Sequence, residues 1–371
     1  RAQVRYLDNE YVARPMANIG RLLRRGAEVG WTTAVTLNYP SYLAFEWEAW
    51  RATRDELRRG EFDLVHRLTP MSPTIPSPMA SWSPVPFVLG PLNGGLKWPA
   101  AFRQERAREL EWLSYLRSAH RALPYWRSTY RDARAVLAAF QHTIDDLPPA
   151  AQSKIVNFPE VGINPTLFAG AAKPPPQKQK VVIFAGRLVP LKLSQIVIQA
   201  FADRPALRRH RLLIVGDGPE RPAMERLIER HQLEAQVQML GWKSQADVAA
   251  LMRTADIFAF PSIRELGAGV VVEAMACGLA CVVVDYGGPA TLIGPDRGVK
   301  VPLGNRERIR QEFAEALERL VLDDEAIMRL GAAARDHALR FYTWDAKARK
   351  TIEVYEWVLG RRERPNFWQD R

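Results

Sequence analysis

The sequence predicts two α/β domains, and three observations carry that expectation. From residue 181 onward, short β-branched runs alternate with amphipathic stretches, a pattern that implies βαβ units and a parallel sheet covered on both faces. The stretch Ala169–Lys180 holds three successive prolines and no apolar periodicity, so it reads as a linker. A chain of 371 residues is also long enough for two cores. The expected division is a first domain over residues 1–169, a second over 179–341, and a last segment, 342–371, with a helix at Trp344–Arg361.

Before the linker the pattern is sparse. Residues 1–30 offer only Gln3–Leu7 as a weak strand. Tyr42–Arg59 and Phe102–Leu123 have helical periodicity, and strands are expected at 62–68, 85–89, 135–138 and 155–158. Thr69–Pro86 carries six prolines and should be an irregular surface segment. After the linker, strands are expected at 181–185, 211–215, 236–240, 256–261, 281–285 and 298–301. Ligands of such sheets bind beyond the carboxyl ends of the strands. Arg187, Gly216, Gly241 and Glu265 each fall just after a strand, so one rim collects them.

Charge and composition exclude more than they identify. The net charge of +11 is shared, +5 over residues 1–170 and +6 over the remainder; it permits an anionic partner without naming one. No apolar run approaches the ~18 residues that span a bilayer, and no signal peptide is visible. Cys277 and Cys281 read as small buried residues of a reducing cytosol rather than a disulfide or metal pair. The six histidines lack ligand spacing, so no metal is expected. Residues 97–134 hold nine basic and four acidic side chains, with Trp112, Tyr115, Trp126 and Tyr130 interleaved. That stretch is either a peripheral contact with an anionic membrane on its inner face or a packed aromatic face backed by solvated arginines.

The most telling run is Arg264–Gly278, in which Glu265 and Glu273 stand eight residues apart. Gly267, Ala268, Gly269 and Val270 lie where a helix should begin, and a helix N-terminus offers unpaired N–H groups to a phosphate. Glu273, about one turn inside, can accept hydrogen bonds from the vicinal hydroxyls of a ribose. Glu265 can reach the far side of the same ligand. The alternative is two solvated surface charges, but Glu273 is the only charge in the apolar run Gly269–Ala276.

Glu265 and Glu273, the continuation Glu273-Ala-Met-Ala-Cys-Gly278, and the strand Cys281-Val-Val-Val-Asp-Tyr-Gly-Gly288 together resemble the retaining nucleotide-sugar glycosyltransferases of family 4. Val181-Val-Ile-Phe-Ala-Gly-Arg-Leu-Val-Pro-Leu-Lys192 and Leu212-Leu-Ile-Val-Gly-Asp-Gly-Pro219 resemble two further blocks of that family, in the right order. The resemblance is dense over residues 155–345 and thin before 60. It implies the GT-B fold, two Rossmann-like doubly wound domains facing a cleft, with residues 1–169 on the acceptor side, 179–341 binding the nucleotide sugar, and the helix of 342–371 crossing back onto the first domain. It also implies sugar transfer with retention from a UDP-, GDP- or ADP-sugar to a carbohydrate or lipid-linked acceptor, with no cofactor, no metal and no nucleic acid. Arg187 and Lys192 are then implied to hold the donor diphosphate, whose charge grows as the bond breaks, with Glu265 the third catalytic candidate. Gly186, Gly216, Gly241 and Trp242 would line the nucleotide, although Trp242 reads equally as a packing residue. Gly287 and Gly288 open a helix on the same rim, near the sugar.

On the other domain, Phe87-Val-Leu-Gly-Pro-Leu-Asn-Gly-Gly95 resembles a cleft-facing loop of some members, giving Asn93, Gly94 and Gly95 as acceptor-side candidates. Many members place a histidine where this chain has Gly90; His66 is the substitute candidate, with a buried structural histidine as the alternative. Val161-Gly-Ile-Asn164 and Leu266 also depart from the family pattern. A member would open with a strand, a Gly-rich turn and a helix, which are not legible here, and the chain begins with Arg1. The expectation is a first domain lacking its start. Two rival functions remain open: a nucleotide-sugar-binding protein without turnover, and an NAD-dependent oxidoreductase built on Gly216-Asp-Gly218, with Arg221 in place of the third glycine.

Overall fold

The computed structural model describes residues 3–24, 39–108, 119–170 and 177–367. They form two compact units, each built on a parallel sheet. The second unit comprises residues 96–105 and 161–350 among those described. Its sheet runs β10-β9-β8-β5-β6-β7, from β5 (Val181–Ala185), β6 (Arg211–Val215), β7 (Val237–Gly241), β8 (Ile257–Phe260), β9 (Ala280–Val284) and β10 (Gly298–Val301). Every pairing is parallel. β5, β8 and β9 are buried along nearly their whole length, which explains why they read as unbroken apolar runs rather than alternating ones. The order reverses between β5 and β8, and such a switch point is where an open α/β sheet offers its ligand crevice.

The first unit comprises residues 3–95, 106–160 and 351–367 among those described. Its strands, β1 (Val65–Arg67), β2 (Phe87–Leu92), β3 (Ala135–Ala138) and β4 (Ile155–Asn157), lie in the order β1-β2-β3-β4, all parallel. The two-residue period sorts the core. Phe87, Leu89 and Val136 face one side with Trp126, Tyr130 and Ile144. Val88, Ala135, Leu137 and Val156 face the other, where Val354 and Val358 of the helix Trp344–Val358 cover them.

Several sequence expectations change. Gln3–Leu7 forms no strand; the first element is instead the helix Glu10–Arg24, missed because Pro15 sits inside it. The segment leading into it is tied to the helix Tyr39–Arg58 by Arg5–Glu56 and Asn9–Ser41 hydrogen bonds, and the helix itself by Tyr11 donating to Glu48. Of the expected helix Phe102–Leu123, the described part holds Arg103–Arg108 and a 3-10 turn at Ala119–Ala122. Residues 109–118, with Trp112 and Tyr115, lie outside the described residues. Trp126 and Tyr130 are buried core residues, so these two belong to a packed aromatic face.

The proline-rich segment 69–86 is not a surface loop. Ser72, Ile75, Ser77 and Met79 are buried, and its backbone is satisfied by polar side chains, as burial demands. Arg67 donates to the carbonyls of Ile75 (2.8 Å) and Pro70 (3.2 Å). The buried carboxylate of Glu46 accepts from Ser77 Oγ (2.5 Å) and Met79 N (3.1 Å).

The chain enters the second unit at Val161, ahead of the expected 169. Ile163 exchanges backbone hydrogen bonds with Tyr342 (2.8 Å) and Trp344 (3.3 Å), and Phe168 lies in the second core. Residues 96–105 join that unit as well, with Phe102 buried in the same core.

Candidate active site

The carboxyl ends of β5 and β8 flank the switch point, and the turn after each delivers one charged side chain to the other. Lys192 closes the turn after β5; Glu265 stands in the loop after β8. Their side chains, 12% and 15% exposed, are hydrogen-bonded as an ion pair. The Ser262 hydroxyl lies 2.8 Å from Glu265 Oε1 and 3.2 Å from the Leu191 carbonyl, one proton shared between two acceptors. Ile263 N–H donates to the same carbonyl at 3.0 Å, so the loop after β8 is tied to the turn after β5. Lys192 Nζ also sits 4.8 Å from the centre of the Phe260 ring, a cation–π contact in a largely desolvated place. Arg187, between these elements, is exposed and makes no ion pair among the described residues.

Glycines set the closeness of the loops on this rim. A Cβ at Gly216 would stand 1.9 Å from the Gly186 carbonyl, and one at Gly218 2.5 Å from the Leu188 carbonyl. Leu188 N–H donates to Asp217 O (2.9 Å) and Gly216 N–H to Gly241 O (2.8 Å). The loops after β5, β6 and β7 are thereby zipped together. This corrects the oxidoreductase reading: Gly216 and Gly218 admit neighbouring backbone rather than a pyrophosphate, and they follow β6, not the switch-point strand β5. Gly287 and Gly288 do the same for the glutamate loop. A Cβ there would lie 2.5 Å from Glu265 O and 2.4 Å from Leu266 O, and Gly288 N–H donates to Glu265 O at 2.9 Å.

The helix Gly269–Ala276 begins in that loop, with Ala268 as N-cap at φ +51°, an arrangement that costs a non-glycine residue about 1–2 kcal/mol. Glu273, one turn in, is partly buried and accepts from Gln245 Nε2 at 3.0 Å. Burial pushes its carboxyl pKa up, with the Gln245 hydrogen bond acting the other way. Trp242, after β7, is 77% exposed, which removes the packing alternative. Cys277 and Cys281 are buried thiols, Cys277 Sγ donating to Phe168 O.

Residues 169–337 match the family model described as glycosyl transferases group 1. The match spans 169 of the chain's 371 residues. Relatives include a D-inositol 3-phosphate glycosyltransferase of Stackebrandtia nassauensis, 31% identical over 58% of this chain and 52% of its own. Another, of Corynebacterium glutamicum, is 34% identical over 48% of this chain and 44% of its own. The chain thus spans about half the length of these relatives. Among solved structures, sucrose-phosphate synthase of Thermosynechococcus elongatus superposes with a TM-score of 0.63 at 19% identity, covering 90% of this chain and 81% of that one. Anabaena Alr3699/HepE, solved with UDP, gives 0.60 at 21%, covering 81% of each. These likenesses support the fold, two Rossmann-like α/β units of the GT-B class.

Within the group 1 domain, the structure brings Lys192 and Glu265 together and puts Arg187, Gly186, Gly216, Gly241, Glu265 and Gly267 on one rim. Sequence reading missed Ser262, Phe260 and Gln245, which hold Lys192, Glu265 and Glu273. Ser262 carried a signal: a serine three residues before Glu265, directly after a strand and a proline.

The acceptor-side candidates, all in the first unit, are occupied within it. His66 Nε2 lies 2.8 Å from the Gly90 carbonyl, which can only accept, so Nε2 carries the proton and Nδ1 accepts from Tyr355 OH at 2.7 Å. Burial lowers its pKa, the Gly90 bond opposing. Both ring nitrogens are hydrogen-bonded within the first unit, the arrangement that the structural alternative expects. Asn93 is buried and donates to Glu160, and its backbone N–H donates to Met71 O (2.8 Å), while its Oδ1 has no hydrogen-bond partner among the described residues. Gly94 exchanges two hydrogen bonds with Thr143 Oγ1. Gly95, at φ +79°, packs where a Cβ would lie 3.0 Å from His142 O.

Proposed function

We propose that this chain is a retaining glycosyltransferase that takes its sugar from a nucleoside diphosphate sugar without a metal or other cofactor. The observation that carries this reading is the Lys192–Glu265–Ser262 cluster at the switch point of a group 1 domain, with exposed Arg187 beside it and Glu273 one turn into the next helix. Arg187 supplies a planar fork for two phosphate oxygens, and Lys192 a point charge. As the glycosidic bond breaks, negative charge grows on the diphosphate, and preorganised cations lower that barrier more than they tighten ground-state binding. N–H groups at Gly269 and Val270 receive further phosphate charge. Glu273, held by Gln245, accepts from the ribose diol. Glu265 keeps Lys192 in place until the donor arrives and then faces the sugar side. UDP-sugars lead the donor candidates because Alr3699/HepE is solved with UDP and with UDP-glucose. The acceptor is a carbohydrate or lipid-linked sugar, and the buried thiols suit a reducing cytoplasm.

The second reading, nucleotide-sugar binding without turnover, is favoured by one observation: His66 and Asn93 are both committed to internal hydrogen bonds. One experiment separates the two. UDP-, GDP- and ADP-sugars and NAD are screened by thermal shift, where a ligand at 100 times its Kd adds about 2.7 kcal/mol, and hits are then assayed for transfer or hydrolysis with NMR of the product anomer. A stabilising nucleotide sugar with retained anomeric configuration supports transfer. Stabilisation without product supports the binder, inversion overturns retention, and stabilisation by NAD alone overturns both.

A further inference from the structure

At the opposite end of the same sheet, where β5 and β6 begin, the second unit holds a cavity of about 640 Å3, within the size range of small-molecule sites. The five-residue strands put it roughly 17 Å from the Arg187 rim. Its walls are of two kinds. Pro205, Ala206, Val321 and Leu322 form an apolar side, with Leu322 72% exposed. Lys178, Arg209 and His210 form a polar side.

The polar side is short of partners in a specific way. His210 is 7% exposed. Its Nδ1 accepts the Lys180 backbone N–H at 3.0 Å, so the neutral ring carries its proton on Nε2, and Nε2 has no hydrogen-bond partner among the described residues. Burial, reinforced by the Lys180 charge, lowers the ring's pKa and keeps it neutral with that N–H in place. Lys180 itself is neutralised by Asp324 at 2.7 Å. Lys178 and Arg209 are exposed and make no ion pair among the described residues. Two unneutralised cations and an accessible N–H donor on a largely buried ring therefore border an apolar wall.

We propose that this cavity binds a small organic anion, a phosphate or carboxylate group joined to an apolar body, independently of the donor rim. The Arg209 fork and the His210 N–H suit an oxyanion, Lys178 adds charge, and the apolar body covers the otherwise exposed Leu322. A bare hydrated ion gains nothing from that wall, and a neutral apolar molecule leaves the cations unpaired. No part of this rests on the transfer reading.

The test is calorimetry on the full chain at low salt, with phenyl phosphate, phenylacetate, inorganic phosphate and benzyl alcohol as probes. Phenyl phosphate or phenylacetate, whichever source the site prefers, should bind at least about tenfold tighter than inorganic phosphate or benzyl alcohol. Lys178→Gln/Arg209→Gln should weaken it at least about tenfold, the order expected for one charge-assisted hydrogen bond. Ala206→Trp, which fills the cavity, should do the same, and Arg187→Gln should leave binding intact. Both charged residues are exposed, so the charge variant keeps the fold and decides the matter if Ala206→Trp unfolds. No binding by either organic anion, equal binding of inorganic phosphate, indifference to the charge variant, or loss in Arg187→Gln would each overturn the proposal.

Discussion

The two units use their polar residues in opposite ways. In the second, charged side chains gather at the carboxyl ends of β5 and β8, and Arg187 stays exposed without an ion pair among the described residues. In the first, polar residues of β1 and of two helices are used in holding the chain together. His66 joins Gly90 to Tyr355, Thr143 pins Gly94, and Glu46 and Arg67 fasten the proline-rich segment. A side chain's type and its place after a parallel strand are thus insufficient to mark a site. What separates the units is that Arg187 remains exposed without an ion pair among the described residues, while His66 has both ring nitrogens engaged.

The largest expected effect is on turnover. Lys192→Ala should lower the transfer rate by about 10²–10³, the range for removing one preorganised charge or donor, while donor affinity changes far less. An unchanged rate would move the chemistry away from the switch point. Gly216→Ala comes next. Its Cβ has no room beside the Gly186 carbonyl, so the zipped loops must separate, at a cost of about 3 kcal/mol or more by thermal unfolding. Wild-type stability would show that the loops after β5 and β6 are looser than described.

These two positions also show what was legible in the sequence. The strands of the second unit were readable to within a residue or so at most ends, β5, β8 and β9 because they are buried on both faces and read as unbroken apolar runs. Lys192 and Glu265 were readable through the family resemblance of the blocks that hold them, since a lysine or glutamate after a strand is by itself an ordinary surface charge. Their union was not, since it depends on β5 lying beside β8, a pairing fixed by tertiary order. In the first unit the helix Glu10–Arg24 hid behind Pro15. The proline-rich segment looked solvated because the side chains that satisfy its backbone, Glu46, Arg67 and Tyr130, lie far from it in sequence or belong to other elements.

A smaller effect tests the first unit directly. Burial holds the His66 pKa below its unfolded value, so the unfolded chain binds more protons as pH falls through about 6.5. The stability this neutral ring contributes is present above that pH and is lost on descending toward its folded pKa. His66→Gln should therefore flatten the loss of stability between pH 7.5 and 5.5, read by the tryptophan-fluorescence melting midpoint. A steeper acid loss in the variant would mean that His66 is charged in the fold and available to a ligand.

The most direct measurement of the central claim, that the second unit holds a nucleoside diphosphate along its switch-point rim, is calorimetry of Glu273→Ala against wild type. The titrants are the best-binding nucleoside diphosphate and inorganic pyrophosphate. On the proposed reading Glu273 takes the ribose diol and not the phosphates. The nucleotide should lose about 1.5–3 kcal/mol of binding free energy, as for a hydrogen bond to a charged group, while pyrophosphate binding stays within error. Equal losses for both ligands, or none for either, would contradict it.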